Sequence, residues 1–272
     1  MFDMAHPPLP VFDGSTFLGI YGALLALAGI DGIARPPVAG RRQPVEGADA
    51  LAWLAGGRAR LAESVAVRLL ARGAIEVAPQ GLLQAAPGGV GILPAKRQLL
   101  AALPARWPAA ERALDAEANA IRADMVAGGL ILGDDEAARR RWRQTWPWLL
   151  LLAFGALRLA VGVARERPVG YLIALMVVVA LVALMRWGGF DRRTRAARAV
   201  LAEARTRADR LRRAPTQREV DLAVALFGTG VLAASPWADL HRLRSSDSGV
   251  EASSGGSDGG GGCGGGCGGC GS

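Results

Sequence analysis

The sequence predicts a mainly α-helical membrane protein: a transmembrane helical hairpin preceded by an N-terminal span, a small cytoplasmic α+β domain of winged-helix-like order, and a disordered tail. Three observations carry this reading. Two long apolar runs lie between Trp146 and Phe190 on either side of the break Arg165-Glu166-Arg167-Pro168. Arginine is dense on both flanks of that pair, with Arg139, Arg140, Arg141 and Arg143 before it and Arg192, Arg193 and Arg195 after it. From Ser245 to Ser272 the chain is glycine, serine, a few acids and three cysteines, a composition that cannot bury enough apolar surface to offset its chain entropy. The expected segments are 1–34 (N-terminal span), 35–144 (cytoplasmic domain), 145–190 (hairpin), 191–244 (basic amphipathic and C-terminal helices) and 245–272 (tail).

The hairpin follows from length. A helix rises about 1.5 Å per residue, so a run of about 20 apolar residues matches the ~30 Å hydrocarbon core of a bilayer. Trp142, Trp146 and Trp148 stand at its entry and Trp187 with Phe190 at its exit. There an indole ring keeps its apolar body in lipid and its N–H in water. The arginine distribution places both ends inside and the turn outside. Arg158 interrupts the first run, about seven residues from its outer end. An intramembrane charge is a functional candidate by default, but at about 10 Å of depth a long side chain snorkels part of the way to the outer headgroups.

Phe17 to Ile30 is the third candidate span, opened by Asp13-Gly14-Ser15-Thr16. No Lys or Arg precedes it, whereas Arg35, Arg41 and Arg42 follow. A cleaved secretory signal has the opposite charge order, so the segment is expected to stay and to place the N-terminus outside.

Residues 35–144 are soluble in character, with sixteen basic and eleven acidic side chains. Asp49 to Leu54 and Arg58 to Arg72 read as helices, the second with Leu61, Val65 and Leu69 on one stripe and Gly73 as its C-terminal cap. A hairpin follows in 74–85, turned at Pro79-Gln80-Gly81. A further helix, about Ala109 to Ala127, ends at Gly128-Gly129, and its exit Met125 to Ile131 matches Leu69 to Ile75 in pattern, a weak helix-to-strand repeat. Helix, helix and hairpin is the order of a winged helix, for which the functional reading is DNA binding. The charges argue against it: Arg58, Arg60, Arg68 and Arg72 alternate with Glu63 and Glu76, and no aromatic side chain lies among them. Nucleic acid is therefore not the expected partner.

The net charge of +8 calls instead for an anionic surface. Asp191 to Arg213 carries nine arginines against three acids directly after the second span, with a narrow seam of Ala197, Val200, Leu201, Ala204, Ala208 and Leu211. Arg192, Arg193, Arg195 and Arg198 are its expected contacts with anionic headgroups, and the alanine seam is too shallow for deep insertion into lipid. Thr216-Gln217-Arg218-Glu219 has the capping-box pattern and should open a helix over Val220 to Leu226. Lys96 is the only lysine, which reads as the coding bias of a GC-rich bacterial genome.

Cys263, Cys267 and Cys270 are the only cysteines, so no disulfide framework supports the folded part. Their CxxxCxxC spacing matches three ligands of radical-enzyme iron–sulfur clusters, but no barrel or substrate cavity accompanies it. Three thiolates with an outside ligand suit zinc or copper(I), and the glycine backbone between them offers no preorganisation. The tail is alternatively a modification substrate or plain low-complexity chain. No resident cofactor is expected elsewhere. His6 and His241 are isolated, no Ser-His-Asp or Cys-His set lies on one side of the membrane, and Gly88-Gly89-Val90-Gly91 lacks the GKS/T of a phosphate loop. An enzyme is the less favoured class.

The segments Phe17-Leu18-Gly19-Ile20-Tyr21, Trp53-Leu54-Ala55-Gly56-Gly57-Arg58, Leu70-Ala71-Arg72-Gly73 and Ala225-Leu226-Phe227-Gly228, with the two-span hairpin and the terminal Gly/Cys tract, are together similar to an uncharacterised bacterial membrane-protein family. That family is described by a domain of unknown function just upstream of a low-complexity tail. The resemblance covers most of the chain and implies a membrane topology without an activity. The resulting expectation is a membrane-anchored scaffold or interaction protein with an unidentified protein partner. The alternative is a metal-handling protein or modification substrate acting through the tail.

Overall fold

The computed structural model describes residues 14–34, 38–78, 80–87, 97–164 and 170–250, which form a mostly helical chain with one small sheet. His6, the glycine loop 88–91, the turn 165–168 and the three tail cysteines lie outside the described residues. The chain divides into two compact units, one of residues 1–36 with 134–190 and one of residues 37–133 with 191–272. The stretches 35–144 and 191–244, which the sequence separates by a hairpin, thus fold largely together.

In this second unit, α2 (Ala48–Ala71) contains the two expected helices as separate segments, divided at Gly56-Gly57, where the backbone leaves helical geometry and φ reaches 67° at Gly57. Gly73 ends it as expected: its N–H bonds to Leu70 O at 3.0 Å and that of Ala74 to Leu69 O at 2.9 Å. These two bonds are the Schellman pattern. α5 (Asp115–Ala127) ends the same way, with Gly129 N–H on Val126 O and Leu130 N–H on Met125 O, both at 3.0 Å. A shared C-terminal cap is thus what the repeat-like pair of segments has in common. The strands that follow differ. After Gly73, β1 (Ile75–Val77) pairs antiparallel with β2 (Leu82–Ala85), as read from the sequence. A third strand, β3 (Ala105–Arg106), then adds to β2.

α3 (Arg97–Ala101) precedes β3, and α4 (Trp107–Ala113) follows it directly. The single helix expected over 109–127 is therefore two, interrupted at Leu114, whose fully buried side chain belongs to the core. α8 (Arg195–Arg207) and a 3-10 turn (Asp209–Arg212) replace the continuous basic helix, and α9 (Val220–Phe227) and α10 (Ala238–Val250) complete the unit. Thr216 and Glu219 do interact, through Thr216 Oγ1 to Glu219 Oε2 at 2.6 Å, but without the reciprocal backbone bonds of a capping box. Glu219 itself becomes the cap residue, because its N–H closes a turn on Thr216 O at 3.0 Å.

α9 is buried on nearly every side, which suits a sequence with scarcely a polar residue and makes it the centre of the unit. It packs along α2, with Ser64 Oγ donating to Asp221 O at 3.0 Å. Leu61, Val65, Leu69, Leu83, Leu99 and Trp107 close one side of the core, and Leu54, Met125, Ile131, Leu201 and Leu226 the other. At about 1.5–3 kcal/mol per fully buried large side chain, these clusters hold the unit together.

The first unit contains α1 (Gly14–Ala34), α6 (Asp134–Ala164) and α7 (Gly170–Gly188). α6 and α7 are long and apolar enough to cross a membrane, and α1 contains the shorter apolar run Gly19–Ile30. α6 begins at Asp134 rather than at the edge of the apolar run, since Asp134, Asp135 and Glu136 suit the positive end of a helix and the arginines after them extend it. Tyr21 of α1 is fully buried, donates to Leu151 O at 3.1 Å and stacks on Phe154 with centroids 6.5 Å apart. Gly155 makes this possible, because a Cβ there would lie 3.1 Å from the Tyr21 hydroxyl and 3.0 Å from Met176 Cγ. Gly155→Leu should therefore push α1 off the hairpin, at the roughly 1–3 kcal/mol typical of overpacking. A cysteine crosslink between α1 and α6 in the detergent-solubilised chain is expected to form in the wild type and fade in the variant.

At the other end of this unit Arg141 Nε donates to Trp187 O at 2.9 Å, and its guanidinium lies 4.4 Å from the Trp187 ring centroid. The arginine thereby caps an orphan carbonyl at the end of α7 and ties α6 to it. Trp142, Trp146 and Trp187 are exposed, whereas Trp148 turns into the bundle. Arg158 is half-buried on α6.

A basic collar as the candidate functional site

Three segments of the second unit meet in one place: 38–43, 129–132 and 191–196. Each lies next in sequence to an end of α1, α6 or α7. Leu132 N–H donates to Arg192 O and Thr194 N–H to Leu130 O, both at 3.0 Å, forming an antiparallel bridge. On the other side Arg195 N–H donates to Val38 O at 2.7 Å, Ala196 N–H to Ala39 O at 2.9 Å, and Arg41 N–H to Gly129 O at 3.3 Å. The result is a small knot of extended chain from which α8 departs.

Thr194 is its centre. Buried to 2% exposure, its hydroxyl donates to Leu130 O at 2.8 Å and accepts the Ala197 N–H at 3.3 Å, which caps α8. Gly40 lies directly against it at φ 71°, and a Cβ there would sit 2.6 Å from Thr194 Cβ and 2.7 Å from Gly129 O. Only glycine satisfies both the backbone angle and the space.

The four arginines expected at a membrane surface are brought together here with unequal roles. Arg193 turns inward, and its Nη2 donates to Ala55 O at 2.7 Å, at the break in α2. Burial pushes its pKa down, Arg198 and Arg205 push the same way, and Asp191 opposes them. Arg198 is half-exposed and pairs with Asp191 at 3.1 Å. Arg192 is half-buried, with its backbone carbonyl in the bridge. Arg195 is exposed. Beside it are two arginines that the sequence singled out only for topology, Arg41 and Arg42, both exposed. Arg42 is 3.7 Å from Glu203, which also holds Arg207 at 2.5 Å; hydrogen bonding from Arg207 keeps the Glu203 carboxyl below the usual range.

The seam of α8 does not face outward. Ala197 and Leu201 are buried with Leu51, Leu54, Met125, Leu130, Ile131 and Leu226. The apolar side of this helix is thus used to pack against the rest of the unit, as its shallowness for lipid insertion leads one to expect, and its charges are what remains exposed. Farther along, Arg205 Nε caps Leu226 O at 3.1 Å.

Two ionic clusters lie inside the unit. Arg68 sits between Asp49, to which it is hydrogen-bonded, and Asp221, whose Oδ2 is 2.6 Å from Nε. Burial lowers the Arg68 pKa, but the two carboxylates outweigh it, so the net shift is upward. Glu63, 7% exposed, accepts from Arg60 at 2.9 Å and Arg244 at 3.0 Å, and Arg244 covers the Trp107 ring at 4.7 Å. An open cleft lined by Glu46, Asp49, Arg68, Arg72, Glu117 and Asp221 borders the first cluster. Among the described residues no group of three or more His, Cys, Asp or Glu is placed to hold a metal ion.

Comparison of the chain with protein-family models, with curated proteins and with solved structures finds no match.

Proposed function

We propose that this chain is a multi-pass protein of the bacterial cytoplasmic membrane that acts as an anchored scaffold, presenting its second unit and C-terminal tail at the inner leaflet to a protein partner. One observation supports this most: among the described residues, every exposed large hydrophobic side chain lies on α1, α6 or α7. Leu27, Ile30, Leu157, Val163, Leu184 and Met185 are each more than 60% exposed there, while the second unit shows none. A soluble protein does not distribute apolar surface this way, and a bilayer covers it. The arginines in the first turns of α6 and after α7 favour both of these ends being inside, and Tyr21 packed at Gly155 favours α1 as a retained third span. The family resemblance fits the same reading, and its Ala-Gly-Gly and Phe-Gly motifs have a structural use, since Arg60 packs against both Gly56 and Gly228. A winged-helix likeness of the second unit rests on element order alone.

Reporter fusions at Gln80, Arg167 and Ser254 should read inside, outside and inside. An outside signal at Gln80, or release of the chain from membranes by alkaline carbonate, rejects the topology. The metal-handling or modification alternative rests on the spacing of Cys263, Cys267 and Cys270. Deleting 254–272 separates the two: a scaffold keeps its crosslinked partners, whereas a protein working through its tail loses them.

A further inference from the structure

We infer that the collar binds anionic phospholipid headgroups through Arg41, Arg42 and Arg195. This places lipid recognition at the point where the chain returns from the apolar helices, rather than along the whole basic stretch Asp191 to Arg213. The inference rests on the membrane reading above and narrows it to three side chains.

Covalent length carries the first part of the argument. Arg192 follows Gly188, the last residue of α7, by only four positions, and Val38 follows Ala34, the last of α1, by four. Four residues of extended chain span at most about 14 Å. Trp187, whose amphipathic ring suits the headgroup level, is one residue before the end of α7. If α7 ends at the headgroups, the collar cannot be much farther from them than this reach. An arginine side chain covers part of the remaining distance, and the Debye length at physiological salt is about 8 Å.

Charge carries the second part. Arg41 and Arg195 are exposed, and among the described residues neither has a side-chain hydrogen bond or ion pair. They are held close together by backbone, since Arg195 N–H bonds to Val38 O and Arg41 N–H to Gly129 O, both segments being fastened to Thr194. Arg42 is 71% exposed, and its contact with Glu203, at 3.7 Å, is shared with Arg207. The acids nearest Arg195 in sequence are already engaged: Asp191 with Arg198 and the Arg193 backbone, Glu203 with Arg207. What remains is a rigidly mounted cluster of guanidinium groups, each able to offer a phosphate two parallel N–H donors. Arg212, Arg213 and Arg218, also exposed, lie beyond the far end of α8, about 20 Å along a 13-residue helix from the collar. At more than two Debye lengths from it they serve as an internal control.

The test is arginine footprinting on the full chain in lipid nanodiscs, using a dicarbonyl reagent and mass spectrometry. Discs of pure phosphatidylcholine are compared with discs containing phosphatidylglycerol. The modification rates of Arg41, Arg42 and Arg195 are expected to fall about threefold or more with phosphatidylglycerol and to recover in 1 M salt, at roughly the few-fold effect of one surface basic group. Those of Arg212, Arg213 and Arg218 are expected to stay within error. Unchanged collar rates, equal protection in both lipids, protection insensitive to salt, or equal protection of the control residues would each overturn the assignment while leaving the membrane anchor standing. Failure of the chain to enter discs at all would instead reject the membrane reading.

Discussion

Replacing Arg68 by alanine is expected to destabilise the second unit by about 3–5 kcal/mol, the usual cost of breaking a buried ion cluster from one side. Arg68 links the first turn of α2 to the start of α9 by standing between Asp49 and Asp221. Its side chain is only 14% exposed, and the two carboxylates 26% and 18%. Without the guanidinium, two like charges face one another in a partly desolvated place, and one must take up a proton or the helices must separate. The measurement is chemical denaturation of the detergent-solubilised chain followed by tryptophan fluorescence. The triple change Arg68→Met, Asp49→Asn and Asp221→Asn removes all three charges at similar volume and should recover most of the loss. If Arg68→Ala alone costs less than about 1 kcal/mol, the cluster behaves as a surface pair and the argument fails.

A comparable loss, about 3–5 kcal/mol, is expected for Glu63→Ala, with a different local signature. Glu63 is the shared acceptor of Arg60 and Arg244, whose side chains are 29% and 17% exposed. Arg244 belongs to α10, and it reaches Glu63 while lying over Trp107. Removing the carboxylate takes away the acceptor that Arg60 and Arg244 share and loosens the attachment of α10, whose Leu240 and Leu243 still pack on the core. Limited proteolysis should show α10 cut before the rest of the unit, in Glu63→Ala and in Arg244→Ala alike. Gly228 reports on the Arg60 half of the cluster. It has φ 90°, and the Arg60 guanidinium occupies the space a Cβ would need. Gly228→Ala should accordingly destabilise through both backbone strain and displacement of Arg60, without freeing α10 first.

Much of the architecture was legible along the chain because it rests on local rules. Apolar runs of bilayer length, arginine at their flanks and a glycine after a helical stripe each act over a few residues. They located α6, α7, the cap at Gly73 and the hairpin at 75–85. The separation at Gly56-Gly57 was legible in the same way: both glycines leave helical backbone, and the two helical segments fold back far enough for Arg68 to reach Asp49. One break was harder. Leu114 looks like a helix-interior residue and instead interrupts one, because its burial in the core outweighs local propensity.

The candidate site shows the same division. Arg192, Arg193, Arg195 and Arg198 were selected by charge density alone. Density cannot distinguish Arg193, turned inward onto Ala55 O, from Arg195, left exposed. Arg41 and Arg42 are about 150 residues away in sequence, and nothing local relates them to Arg195. By itself the sequence determined which segments are apolar enough to need covering and which side of them is basic, since hydrophobicity and charge belong to individual side chains. Only the tertiary structure decided which arginines remain available, because a backbone carbonyl or a carboxylate engages a guanidinium only when the fold brings distant segments within about 3 Å.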